Sequence, residues 1–165
     1  MSKVYDDLMT AFAGESQANR KYLAYAKKAE DEGHAQVARL FRAVAHAETI
    51  HALNHFRFAG EIGSTEENLK TAADGENYES TEMYPAFMKD AEAENDARSL
   101  KSFHWANEAE KVHEILYREA LASLGNTSEE YDYFICPVCG YTEKRSAPEK
   151  CPVCGVPGAR FEKIR

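Results

Sequence analysis

The sequence predicts an all-α four-helix bundle followed by a small metal-binding domain. Three observations carry this. Apolar residues recur at helical spacing through the first 130 positions, two of the inward stripes carry Glu-x-x-His, and all four cysteines fall between residues 136 and 154 in two C-x2-C pairs. We expect a bundle domain over residues 1–130 and a cysteine domain over residues 131–165.

The first helix shows Tyr5, Leu8, Phe12, Glu15, Asn19, Tyr22 and Ala26 at alternating steps of three and four, and Gly33 stops it. The second has Val37, Phe41, Val44, Phe58 and Ile62 on one stripe, interrupted by Glu48, His51 and His55, and runs out at Gly60 and Gly63. Residues 64–75, STEENLKTAADG, read as a polar, partly helical long crossover between helices 2 and 3. The third helix contains ENYESTEMYPAFMKDAEAE, where Pro85 removes one N–H and should disturb the helix locally. The fourth runs from about Asp96 to Leu124, with Phe103, Ala106, Glu110, His113 and Tyr117 inward and Gly125 as its stop.

An internal repeat links the two halves. Residues 29–51 align without gaps on 91–113, pairing Ala29 with Ala91, Phe41 with Phe103, Glu48 with Glu110 and His51 with His113. Both copies therefore end in Glu-x-x-His, as two related hairpins would. Residues three apart share a helix face, so a Glu and a His can reach one site. Glu15, together with Glu79 and Glu82 on helix three, brings the set to five carboxylates and two imidazoles. Burying such a cluster without cations is costly, because each carboxylate loses water and like charges repel. Two divalent metal ions would offset that cost. His46 falls on the opposite face from Glu48, His55 one turn further along the stripe, and Glu76, Glu108 and Glu114 read as surface charges.

The segments ICPVCGY and KCPVCGV place Cys136, Cys139, Cys151 and Cys154 in a C-x2-C-x11-C-x2-C pattern. Four thiolates in two knuckles suit a tetrahedral metal, and glycine after each pair lets the backbone turn its amides toward sulfur. Zinc ribbons use similar spacing, so zinc is one occupant; beside a carboxylate-rich redox centre, a one-electron iron is the other.

Composition excludes several classes. The 165 residues are 29% charged and 44% hydrophobic, with a formal net charge of -8, which disfavours a nucleic-acid surface. No apolar run is long enough for a membrane span and the first residues lack a signal-peptide layout, so a cytoplasmic location is expected. Clustered cysteines argue for metal over disulfides.

AGESQANRKY, AETIH, ENYESTEMYPAF and AEKVH, followed by two CPVCG knuckles, resemble the rubrerythrin family over essentially the whole chain. The resemblance implies a ferritin-like diiron bundle with a rubredoxin-like domain. Position by position, it implies Glu15, Glu48, His51, Glu79, Glu82, Glu110 and His113 as ligands of two irons, with Glu48 and Glu110 bridging. It implies one further iron on Cys136, Cys139, Cys151 and Cys154. The activity implied is a peroxidase reducing hydrogen peroxide to water in oxidative-stress defence, fed by a separate reductase or rubredoxin-type electron donor. It also implies a head-to-tail homodimer in which the cysteine domain serves the partner's diiron site. Charge agrees with docking: residues 131–165 carry six Lys/Arg against four Asp/Glu, residues 1–130 carry 14 against 24.

Overall fold

A computed structural model describes residues 2–126 and 129–164. It divides into two compact units, Met1–Gly63 and Ser64–Arg165.

The first unit is a hairpin of α1 (Lys3–Asp31) and α2 (Ala35–Ala59). Ser2 caps α1 by accepting from the Tyr5 N–H, and α1 ends where Gly33 takes φ 81° and His34 donates back to the Ala29 carbonyl. Its buried apolar side chains among the described residues are Ala26, Ala29, Ala38, Ala45 and Ala52, small enough to let two helices approach closely. Phe12 meets Phe56, with ring centroids 4.7 Å apart, and Tyr22 and Tyr25 flank Phe41. Leu40, Ile50, Leu53 and Phe58 keep half or more of their surface exposed. Two helices offer each other one stripe apiece, so much apolar surface is left over.

The second unit starts with α3 (Thr65–Tyr78), continues through a π turn (Glu79–Met83) into α4 (Tyr84–Ala93), and returns along α5 (Ala97–Ser123). The expected long crossover is corrected here. Ser64 and Glu67 form a reciprocal capping box, so helix begins at Thr65 and only residues 60–64 connect it to α2. The π turn sits immediately before Pro85, which has no N–H to give and whose ring crowds the preceding turn. Asp96 caps α5, accepting from the Arg98 and Ser99 N–H groups at 3.0 Å. Tyr84 and Phe87 pack on Phe103 between the arms.

After α5 come β1 (Tyr133–Ile135), β2 (Thr142–Lys144) and β3 (Glu162–Ile164), an antiparallel sheet in the order β2-β1-β3. The knuckles repeat one hydrogen-bond pattern: Cys136 N–H to Tyr141 and Gly140 N–H to Cys136, then Cys151 N–H to Val156 and Gly155 N–H to Cys151. Gly140 and Gly155 close them at φ 82° and 75°. Gly158 is buried against the loop between the knuckles, and a Cβ there would lie 1.7 Å from the Pro148 carbonyl oxygen. Within this unit β2 lies against α5, where Lys144 pairs with Glu119. The cysteine domain thus rests on α5 of its own chain. Among the described residues, no helix is long and apolar enough to cross a membrane.

Candidate metal centres

Each unit carries a carboxylate–histidine group. In the hairpin, ligand atoms of Glu15, Glu48 and His51 lie within 4.8 Å of one another, with His51 Nδ1 2.9 Å from Glu48 Oε2. Asn19 sets the register of the two helices one turn away: its Nδ2 donates to the Ala45 carbonyl at 2.6 Å and to Thr49 Oγ1 at 2.8 Å.

In the second unit the corresponding group is Glu76, Glu110 and His113, again within 4.8 Å. His113 Nδ1 is 2.7 Å from Glu110 Oε2 and 3.7 Å from Glu76 Oε2. Glu76, expected at the surface, therefore stands inside, while Glu82 is exposed and belongs to neither group. Glu79 is half-buried beside them and feels the Glu110 charge. The repeat explains the placement. Glu76 stands one residue further from its Glu-x-x-His than Glu15 does from its own, and the π turn lying between absorbs that extra residue. Glu76 was legible in the sequence only to a reader who counted back from the second Glu-x-x-His and allowed Pro85 one bulged residue. Glu114, expected as a surface charge, is half-buried as well, but it turns to Asn77 and Arg118, from which it accepts, and not to His113.

The electrostatics fit a metal. Burial pushes the Glu76 carboxyl up, Glu110 at hydrogen-bond distance pushes it further, and it reaches about 7. Glu79 is raised by burial and then by Glu110. Glu110 would be raised by burial, but His113 and Glu76 hold it below the ordinary value, and Glu110 in turn holds the His113 imidazole up against burial. These are carboxylates that lack enough positive charge at neutral pH. Hard oxygen donors with two imidazoles suit first-row divalent cations such as iron.

The cysteine site fits as well. All four Sγ atoms lie within 4.8 Å, with Cys136–Cys154 and Cys139–Cys151 at 3.5 Å. A tetrahedron with metal–sulfur bonds of about 2.3 Å has edges of about 3.8 Å. Burial opposes charge on Cys136, yet N–H groups of Val138 and Cys139 and the neighbouring thiols outweigh it and bring it down to about 7. Backbone N–H groups of Tyr141 and Val156 likewise point to Cys139 and Cys154.

One contact joins the two sites. His113 Nε2 is 3.2 Å from the carbonyl oxygen of Gly140, the residue after Cys139, and 3.0 Å from Thr142 Oγ1. A carbonyl only accepts, so Nε2 carries the proton and Nδ1 faces the carboxylates.

Comparison with known proteins agrees. The rubrerythrin family model matches residues 6–121, and the model described as the rubrerythrin, rubredoxin-like domain matches residues 134–162. The chain is 38% identical to a rubrerythrin of Porphyromonas gingivalis, over 99% of this chain and 91% of that one. It is 36% identical to rubrerythrin-2 of Clostridium acetobutylicum, over 95% and 94%. A solved structure of nigerythrin in its fully reduced, all-ferrous state superposes with a TM-score of 0.61 at 34% identity, covering 99% of this chain and 88% of that one. With both family models in order along the chain, over the two sites they would require, this protein belongs to the rubrerythrin family.

Proposed function

We propose that the protein is a peroxidase that reduces hydrogen peroxide to two waters, with electrons relayed through the four-cysteine site. Glu15, Glu48 and His51 of the first unit and Glu76, Glu79, Glu110 and His113 of the second would hold two irons per chain; Glu76 takes the place first given to Glu82. Cys136, Cys139, Cys151 and Cys154 would hold a third, for which zinc is a substitute without redox function. Bound iron supplies one-electron donors at the carboxylate site and, on four thiolates, a carrier whose coordination barely changes on reduction.

The chain's residues arrange the rest. Nδ1 of each histidine faces a carboxylate of its own Glu-x-x-His, so each motif presents nitrogen and oxygen donors together. His113 gives Nε2–H to the Gly140 carbonyl and would offer Nδ1 to a bound metal, which supports a route of few bonds from Cys139 to the carboxylate site. That contact is the observation that carries the relay. Hydrogen peroxide and a separate reductase or rubredoxin-type donor are the partners, because no glycine-rich nucleotide motif occurs in the chain. Exposed Leu40, Ile50, Leu53 and Phe58 support a homodimer or higher homo-oligomer. We place the protein in the cytoplasm, in oxidative-stress defence.

The test is turnover of iron-loaded protein with a nicotinamide-dependent reductase, comparing peroxide with dioxygen. Faster consumption of peroxide, at about three irons per chain, supports the reading. Equal or faster consumption of dioxygen, or a colourless zinc-filled cysteine site in protein made in iron-replete cells, overturns it.

A further inference from the structure

We propose that Thr142, on β2 of the cysteine domain, is a positioning residue for the carboxylate site: its hydroxyl fixes the ring and tautomer of His113, so that a group outside the bundle sets the metal affinity inside it. The inference rests on His113 being a metal ligand.

Three hydrogen bonds define the arrangement. Thr142 Oγ1 donates its proton to the Gly140 carbonyl at 3.1 Å. With that proton committed, an oxygen lone pair is left to accept His113 Nε2–H at 3.0 Å. The Gly140 carbonyl receives from the imidazole as well, at the longer 3.2 Å. Among the described residues, Thr142 is therefore the nearer of two acceptors on Nε2, and the one that comes from a side chain. Both are half-buried, as is His113, which limits competition from water.

The consequence lies at the other nitrogen. A histidine binds metal through an unprotonated nitrogen, and an acceptor on the far nitrogen selects that tautomer and raises the basicity of the ligating one. In the metal-free form Nδ1 shares a proton with Glu110 at 2.7 Å. Metal must displace that proton, and a ring already anchored at Nε2 does not turn when it leaves. His51 has no such anchor among the described residues: its side chain is 55% exposed and its ring nitrogen Nδ1 meets Glu48. The two Glu-x-x-His motifs are alike in sequence and unlike in support. Because Thr142 belongs to the cysteine domain, metal in the carboxylate site and seating of that domain favour each other reciprocally.

The test uses the full chain with iron in the cysteine site and titrates cobalt(II) into the emptied carboxylate site, reading its visible absorption against a competing chelator. Thr142→Val keeps shape and strand preference but removes the acceptor; Thr142→Ser restores it. Loss of an outer hydrogen bond to a ligating histidine costs about 10–100-fold in metal affinity. With Gly140 remaining as a weaker acceptor, we expect about 10-fold weaker cobalt binding for T142V, recovery to within about twofold for T142S, and an unchanged spectrum of the cysteine-bound iron in both. Wild-type affinity in T142V, affinity in T142S as low as in T142V, or an altered cysteine-site spectrum accounting for the loss would overturn the proposal. No peroxide enters the measurement. If cobalt affinity is likewise unaffected by His113→Ala, the ligand assignment itself has failed, a result separable from failure at Thr142.

Discussion

Glu76 shows what one residue's surroundings decide. It sits in a run with three carboxylates, Glu76, Glu79 and Glu82, any adjacent pair of which has the i, i+3 spacing of a shared face. Spacing alone favoured Glu79 with Glu82; the structure turns Glu82 to solvent and brings Glu76 to His113. Glu76→Ala should therefore weaken cobalt or iron binding at the carboxylate site by at least about 10-fold, whereas Glu82→Ala should stay within about twofold, as equilibrium metal titration would show. A pH effect belongs to the same residue. Its folded carboxyl titrates at about 7, above the ordinary 4.5, so the protonated form is favoured by folding. Stability from this group is complete below pH 4.5 and is lost as pH rises to about 7; Glu79 and His113, both raised, act with the same sign. Protein with an empty carboxylate site should melt at lower temperature at pH 8 than at pH 5.5, and metal should reverse the difference at pH 8. Calorimetry at both pH values, with and without metal, checks this.

At the scale of elements, helices α1, α2 and α5 were legible because long 3.6-residue periods, Gly33 and Gly60, and the Asp96 cap all agree. The α3 start was misread because residues 64–75 are polar, yet the Ser64–Glu67 capping box needs no apolar stripe to begin a helix. The π turn was half legible. Pro85 marked a disturbance, but its form, one inserted residue, decides which glutamate faces His113. Deleting Thr81 from that turn should restore a regular helix and rotate α3 by about 100° relative to α4. Glu76 should then leave the site: far-ultraviolet circular dichroism should hardly change while metal at the carboxylate site is lost. Retention of metal in the deletion variant would show that the bulge does not place Glu76.

At the scale of the whole molecule, the sequence disclosed two metal sites and opposite charge balances but not the contact of the cysteine domain with α5, since a charge balance names no residue pairs. The contact on α5 depends on groups the sequence does not pair, Lys144 with Glu119 and Gly140 with His113. Removing residues 131–165 should leave a chemically reduced bundle that peroxide oxidises once, because every ligand proposed for the carboxylate site precedes residue 114, while multiple turnovers with the reductase disappear. The central claim is that peroxide draws electrons from the four-cysteine iron through the carboxylate site. The most direct measurement is anaerobic stopped-flow mixing of the fully reduced, iron-loaded protein with limiting peroxide, following the red colour of ferric iron on four cysteines. The account predicts that this colour rises after the carboxylate site oxidises, at a first-order rate independent of protein concentration, and does not rise in protein whose carboxylate site is empty. A four-cysteine iron that stays reduced in the loaded protein, or oxidises equally fast without metal in the carboxylate site, would contradict it.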